Sequence, residues 1–184
     1  MVACTIMSDH IHPVSRDQAK ALFAALVGMP LSRLHLTTAN SLFVELGELD
    51  LAGETGEVTI CMECQWRVES ARSIHVGSGF KPTSLLNRLD KLTGCSVQRI
   101  GLESGIPELT LRLSGGKRLR SCTVDETQPK WGIKLGDERF HGLLDTAAPD
   151  DDWYPWIGVK GGRLEASWFQ AEESMIVIIP ARHA

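Results

Sequence analysis

The chain has 184 residues, of which 43% are hydrophobic and 23% charged, and its formal net charge is −4. This length suits one compact domain spanning residues 1–184. The weak negative charge excludes a global attraction to nucleic acid or to an anionic membrane, so neither is an expected partner. The longest apolar run, Met175 to Pro180, is too short to span a bilayer. The N-terminus lacks a secretion signal, and a cytoplasmic location is therefore expected.

The first helix is predicted from a capping box. Ser15 and Gln18 stand three residues apart, and the apolar helical face that follows them ends at Gly28. This pattern indicates a helix over residues 16–27. A second apolar helical face ends in the same way at Gly94.

The strands are predicted from alternation of apolar and polar residues. The clearest alternation runs from Val58 to Val68, so one side of this strand is expected in the core and the other toward water or a partner. A polar loop is expected from Asp145 to Pro155. Two helices and about ten short strands predict an α+β fold with a mainly antiparallel, twisted sheet. The other predicted strands are 31–36, 42–46, 73–76, 96–102, 108–113, 117–124, 131–135, 139–144, 163–169 and 174–179.

One helix–strand–strand pattern occurs twice in the chain. Gly28 and Leu31 recur as Gly94 and Val97 at an offset of 66 residues (94 − 28), and farther along the offset becomes 67 (109 − 42). The pattern predicts two halves related by a pseudo-twofold axis. The predicted parts of the domain are the halves 14–76 and 82–144 and a C-terminal region, 145–184.

Two sequence blocks resemble a group of bacterial proteins of unknown function. The first block runs from Gly56-Glu57 through an alternating strand to Trp66-Arg67, and the second is a helix–Gly–hairpin block that ends at Trp131. The resemblance implies a domain of unknown function. Some similar small proteins lie near toxin and immunity genes, so the resemblance also implies an interaction role, and it assigns no catalytic residue.

The segment Asp150–Trp156 combines acidic and aromatic residues. Large aromatic side chains in a loop either cap the core or form a recognition surface, and the sequence leaves both readings open. The carboxylates lack the spacing of a calcium loop, so no metal site is predicted there. The candidate binding residues are Asp150, Asp151, Asp152, Trp153, Tyr154 and Trp156, together with Glu63, Gln65 and Arg67 on the polar side of the strand 58–68.

Basic residues concentrate on the hairpins of the second half. Arg112 is expected to share a face with at least one cross-strand arginine, and like charges facing each other are unfavourable. The patch therefore favours an anionic partner or carboxylates between the cations, although a solvated strand face also fits. The basic residues are Arg99, Arg112, Lys117, Arg118 and Arg120, and the candidate carboxylates are Glu103, Glu108 and Asp125.

Common catalytic signatures do not occur in the sequence. Cys61 and Cys64 have the C-x-x-C spacing of a metal knuckle, but residues three apart on a strand point to opposite faces. Cys64 is expected in the core and Cys61 on the polar side. The chain has no phosphate-binding loop, nucleophile elbow or metalloprotease helix, so no catalytic residue and no cofactor is predicted.

The sequence favours a protein-interaction module, an immunity-type or accessory factor, that binds another protein through the candidate binding residues. The alternative is a small-molecule-binding protein or enzyme with a cleft between the repeats, in which Cys61, His75 or His141 is the reactive group. A homodimer is left open, because the apolar segment Met175–Ile179 suits either a central strand or a dimer-forming edge.

Overall fold

The computed structural model describes residues 12–37, 41–63, 65–103, 108–122, 131–136, 140, 143, 153–160 and 163–170. Along 153–160 and 163–170 it describes the backbone and the side chain of Ile157. The helices are α1 (Arg16–Ala25) and α2 (Pro82–Leu89), and a 3-10 turn (Asp90–Leu92) follows α2. The strands are β1 (His12–Pro13), β2 (Leu31–Leu36), β3 (Leu42–Leu49), β4 (Gly56–Met62), β5 (Gln65–Glu69), β6 (Ile74–Gly77), β7 (Val97–Leu102), β8 (Leu109–Leu113), β9 (Arg118–Cys122), β10 (Trp131–Leu135), β11 (Trp153–Lys160) and β12 (Arg163–Gln170).

The strands form two antiparallel sheets. The strand order is β1-β12-β11-β10-β4-β3-β2 in the first sheet and β6-β5-β9-β8-β7 in the second. The body of the first sheet consists of β10, β4, β3 and β2. The predicted α+β class with antiparallel pairing is confirmed, whereas the expectation of one extended sheet is wrong.

The predicted capping box of α1 is present. Ser15 Oγ accepts a hydrogen bond from the Gln18 backbone N–H at 3.1 Å, and Gln18 Oε1 accepts one from the Ser15 N–H at 2.8 Å. These bonds satisfy two donors that a helix start leaves unpaired. Across the described part of the chain, neither helix is long and apolar enough to cross a membrane.

The prediction of a single strand from Val58 to Val68 is wrong. The chain leaves the first sheet after Met62 and enters the second sheet at Gln65. The described even-numbered positions of this stretch are all buried, as expected. Because the inward faces of both sheets belong to one hydrophobic cluster, the period of two continues across the break.

Each sheet combines strands from both halves of the chain. In the first sheet, β2, β3 and β4 lie beside β10 and β11, and in the second sheet β7, β8 and β9 lie beside β5 and β6. The chain crosses between the sheets after β4 and again after β9. Neither half therefore completes a sheet without strands from the other.

The two helix–strand junctions are joined by paired backbone hydrogen bonds. The Gly28 N–H donates to the Val97 carbonyl, and the Gly94 N–H donates to the Leu31 carbonyl, both at 2.8 Å. The two donors, Gly28 and Gly94, are 66 positions apart (94 − 28), and so are the two acceptors, Leu31 and Val97. Each half therefore donates one of the two bonds to the other half. One further pair crosses in the same way, Leu31 N–H to Cys95 O with Val97 N–H to Met29 O. An equivalent bond also lies within each half: Gly47 N–H to Pro30 O and Ser114 N–H to Ser96 O.

The aromatic residues that follow Asp152 lie in a strand, so the prediction of a loop reaching to Pro155 is wrong. β11 begins at Trp153 and pairs with β12 along its whole length. Aromatic residues favour strands, and proline is tolerated in a strand where its missing N–H is not needed. The predicted features outside the described residues are Asp150–Asp152, the strand 174–179, Cys64, His141 and Asp125.

We predict that Gly28→Ala and Gly94→Ala each destabilise the fold. Both glycines have positive φ values, +93° and +81°, in open space, so an added Cβ meets backbone strain and no steric clash. Each substitution is expected to cost about 1–2 kcal/mol, which lowers Tm by roughly 2–4 °C per kcal/mol in a thermal melt. Gly79→Ala is the control, because Gly79 has open space and no positive φ. Equal Tm values for all three variants would contradict this prediction.

Candidate functional site

The outer face of the second sheet carries most of its polar residues. On the inner face, Val68, Leu119, Leu111 and Ile100 are buried, so the alternate positions of the strands point outward. We define the outer face by its residues on or beside β5, β9, β8 and β7: Gln65, Arg67, Glu69, Arg118, Arg120, Cys122, Glu108, Thr110, Arg112, Arg99, Gly101 and Glu103.

Three arginines stand next to each other on this face. Arg99 is paired in register with Arg112, and Arg112 is paired in register with Arg118. Residues directly opposite each other on neighbouring strands have Cβ atoms about 4.5–5.5 Å apart, where like charges repel. None of the three forms an ion pair with another described residue. We call Arg99, Arg112 and Arg118 the arginine row, and it confirms that Arg112 shares a face with cross-strand arginines.

The neighbouring Arg120 is surrounded by carboxylates. Its guanidinium nitrogens lie 3.5 Å from Glu69 Oε1, 3.6 Å from Glu103 Oε1 and 3.8 Å from Glu108 Oε2. Arg67 Nε donates to Glu69 Oε2 at 2.7 Å. Burial raises the pKa of Glu69. The bond to Arg67 and the charges of Arg67 and Arg120 have a larger, opposite effect, so the pKa of Glu69 lies below its usual range. Glu103 and Glu108, two of the predicted intervening carboxylates, are therefore present around Arg120. Glu69 also stands opposite Arg118 in register, but neither Arg118 nor the rest of the arginine row forms an ion pair with a described carboxylate.

A depression of about 140 Å³ opens beside the arginine row. Gly101 lies in its lining, and a Cβ added there would have no neighbouring atom within 4 Å. On one side, Glu103 Oε1 accepts a hydrogen bond from Thr110 Oγ1 at 3.1 Å. The lining residues are Arg99, Gly101, Leu102, Glu103, Thr110 and Arg112. Two cations therefore face a carboxylate whose position is held by neighbouring side chains.

The structure places the residues of the predicted polar side and of the predicted basic patch in different surroundings. Gln65 is exposed and Arg67 half-buried on the outer face, whereas Glu63 lies at the crossover between β4 and β5. Lys117 belongs to the predicted basic patch but donates to the Lys91 carbonyl at 3.3 Å, away from the paired strand positions. The side chains of Trp153, Tyr154 and Trp156 lie outside the described set.

The first sheet holds a buried polar cluster on the side away from the core. Glu45 Oε2 accepts hydrogen bonds from Thr59 Oγ1 at 2.7 Å and from the Gly56 N–H at 3.0 Å. Burial raises the pKa of Glu45 and lowers the pKa of Lys134. Glu45 of β3 and Thr59 and Cys61 of β4 are buried. Of the two predicted alternatives for this side of β4, water or a partner, exposure of Thr59 and Cys61 to water is therefore wrong. Sequence reasoning missed this cluster because alternation marks the side opposite the core without showing whether that side is covered.

His35 lies at the edge of this cluster. Its ring stacks on Phe43 with the ring centroids 4.9 Å apart, and its Nδ1 lies 3.9 Å from Glu45 Oε1. Within the described residues, neither ring nitrogen has a hydrogen-bond partner. Burial lowers the pKa of His35, and the charge of Arg33 lowers it further.

The candidate reactive residues do not form a dyad in the described part of the fold. Phe43 stands between His35 and Cys61 in register, so those two side chains lie two strands, or about 10 Å, apart. His75 lies on β6 of the other sheet. Cys61 is buried, and burial raises the pKa of the Cys122 thiol. No group of three His, Cys, Asp or Glu residues in the described ranges could hold a metal ion.

Comparison with known proteins gives no match to a family model, a curated protein or a solved structure. The resemblance drawn from the two sequence blocks therefore stays a prediction, and the site is interpreted from its own geometry.

We predict that His35→Gln reduces the loss of stability on acidification. The unfolded chain takes up a proton at this histidine as the pH falls through about 6.5, whereas burial keeps the folded form neutral to lower pH, so acid favours unfolding at this group. Glu45, whose pKa is raised, acts in the opposite direction. Urea denaturation at pH 7.5 and 5.5 measures the difference in unfolding free energy. The same difference in wild type and His35→Gln would contradict the prediction.

We predict that Cys61 reacts slowly with a thiol reagent in the native protein. Its side chain is buried, and thiol reactivity requires access and a thiolate. Cys61→Ser is therefore expected to leave the fast phase of a native thiol titration unchanged, while the unfolded wild type titrates five thiols. Loss of one fast thiol in Cys61→Ser would instead favour the enzyme alternative.

Proposed function

We propose that the protein is a protein-interaction module that binds an acidic partner protein through the outer face of the second sheet. The arginine row is the observation that supports this proposal. None of its three cations forms an ion pair with a described residue, although Glu69 stands opposite Arg118, whereas Arg120 beside them forms three. Uncompensated like charges on neighbouring strands cost stability. A surface that keeps them is typical of electrostatic recognition, in which the partner supplies the opposite charge.

A protein partner fits this face better than a nucleic acid. Glu69, Glu103 and Glu108 lie among the arginines and would repel a continuous row of phosphates. The outer face carries no aromatic residue on which a base could stack. Mixed charge of this kind suits an acidic polypeptide, whose carboxylates are separated by backbone N–H donors, better than a continuous row of phosphates.

We also propose that the halves 14–76 and 82–144 are repeats that exchange strands, with β11 lying beyond the second. The strand orders β2-β3-β4-β10-β11 and β7-β8-β9-β5-β6 place equivalent elements in equivalent positions. The hydrogen bonds exchanged between the two helix–strand junctions support the same relation. Under this relation, Arg99 and Arg112 correspond to Arg33 and Glu45, which are also paired in register.

Arg112→Glu tests the interaction proposal. The new carboxylate would stand between Arg99 and Arg118, so the unfolding free energy is expected to stay equal or rise by up to about 1 kcal/mol. Binding is expected to be lost because the central cation becomes an anion. The measurement is a pull-down from lysate of the native source, with retained proteins quantified by mass spectrometry and with thermal melts of each variant.

The control is Arg72→Glu, which makes the same charge change in the turn between β5 and β6, at the opposite edge of the sheet from β7. A partner retained by wild type and Arg72→Glu in near-equal amount, released by salt and lost with Arg112→Glu, would support the proposal. Its identity would distinguish an immunity-type protein from an accessory factor. A partner that Arg112→Glu retains would contradict binding through this face and leave the segment Asp150–Trp156 as the predicted surface.

A further inference from the structure

We infer that the depression beside Gly101 is a carboxylate pocket, which receives one glutamate or aspartate side chain of the acidic partner. The inference rests on the proposed function, since it names the chemical group that the outer face recognises. It adds a specific site and a specific contact to a face that is otherwise described only by its charge.

Gly101 lies inside the strand β7. Glycine in a strand interior is unfavourable, and it commonly marks a bulge, a bend or the close approach of a ligand. Gly101 has no positive φ and is regularly paired with Thr110, while the irregularity of β7 lies earlier, between Val97 and Arg99. A Cβ at Gly101 would have no neighbour within 4 Å, so no described contact requires glycine. Gly101 thus leaves open space above the strand, into which a ligand can reach.

The lining of the depression combines two guanidinium groups with one carboxylate. Arg99 and Arg112 present planar guanidinium groups, which bind carboxylates through two parallel hydrogen bonds. Across the depression, Glu103 is held by Thr110 at 3.1 Å and by Arg120 at 3.6 Å. An acidic peptide residue satisfies both sides, because its side chain is an acceptor and its backbone N–H is a donor. A polyphosphate would satisfy the arginines but has no N–H donor for Glu103.

The depression is small enough to suit a single side chain. Its volume of about 140 Å³ is well below the roughly 300–1,000 Å³ of pockets that enclose drug-sized ligands. A space of this size suits one side chain better than a cofactor or a metabolite. The pocket therefore fits recognition of a polypeptide.

The equivalent positions of the first sheet are filled by side chains. Under the proposed repeat, Gly101 and Thr110 correspond to His35 and Phe43, and both pairs are in register. The rings of His35 and Phe43 stack in the first sheet, whereas the equivalent place above Gly101 is open. The neighbouring pair differs in the same way, since Arg33 faces Glu45 but Arg99 faces Arg112. The first sheet thus fills and neutralises the positions that the second sheet leaves open and charged.

The test uses the full chain labelled with nitrogen-15 and a capped peptide of ten glutamates as the probe. Addition of the peptide is expected to shift the amide signals of Arg99, Gly101 and Thr110 in NMR spectra, and a ten-glutamine peptide is expected to leave them unchanged. Gly101→Val is expected to weaken binding of the glutamate peptide by at least about tenfold, because the side chain occupies the space of the carboxylate. Gly101→Ala, a smaller change, is expected to weaken it less, and Gly79→Val is the control outside the outer face.

Three outcomes would overturn the inference: no shifts on addition of the glutamate peptide, equal binding by wild type and Gly101→Val, or equally tight binding of tripolyphosphate. Retention of wild-type affinity by Gly101→Val, with loss of the captured partner in Arg112→Glu, would overturn the pocket alone and leave the interaction function standing. Retention of the captured partner by Arg112→Glu would overturn the function, and the pocket with it.

Discussion

The fold depends on the backbone hydrogen bonds between the two helix–strand junctions. Gly28 and Gly94 each end a helical segment in a left-handed conformation and then donate to the first residue of a strand in the other half. Glycine adopts a positive φ readily, and at each turn it directs the segment that leaves the helix into the junction. The two junctions therefore lie side by side. The strands that follow them, β2 in the first sheet and β7 in the second, begin next to each other.

Strand exchange makes the two halves depend on each other. The first part of the chain supplies β5 and β6 to the second sheet, and the chain that follows β9 supplies β10 and β11 to the first. The cores of both sheets merge in one hydrophobic cluster. A sheet that lacked its exchanged strands would expose unpaired backbone groups and apolar surface, so the domain is expected to fold as one cooperative unit.

The outer faces of the sheets use their polar residues differently. In the first sheet, Glu45 accepts bonds from Thr59 and Gly56 and faces Arg33, so its charge is compensated inside the fold. In the second sheet, Arg120 forms ion pairs with three glutamates, whereas the arginine row beside it forms none with a described residue. Charge that a fold leaves uncompensated is free to interact with a partner, and this difference gives the two similar sheets different surfaces.

Features that depend on near neighbours were predictable from the sequence: the capping box at Ser15, the hairpin of β8 and β9, the core-facing positions of β4 and β5, and the opposition of Arg112 to another arginine. These follow from helical and strand periodicity and from short turns. The change of sheets after Met62, the burial of Glu45 and the contact of Arg120 with Glu69 are evident in the tertiary structure alone. Each of these depends on which distant strands pair, and residue alternation is the same whichever sheet a strand joins.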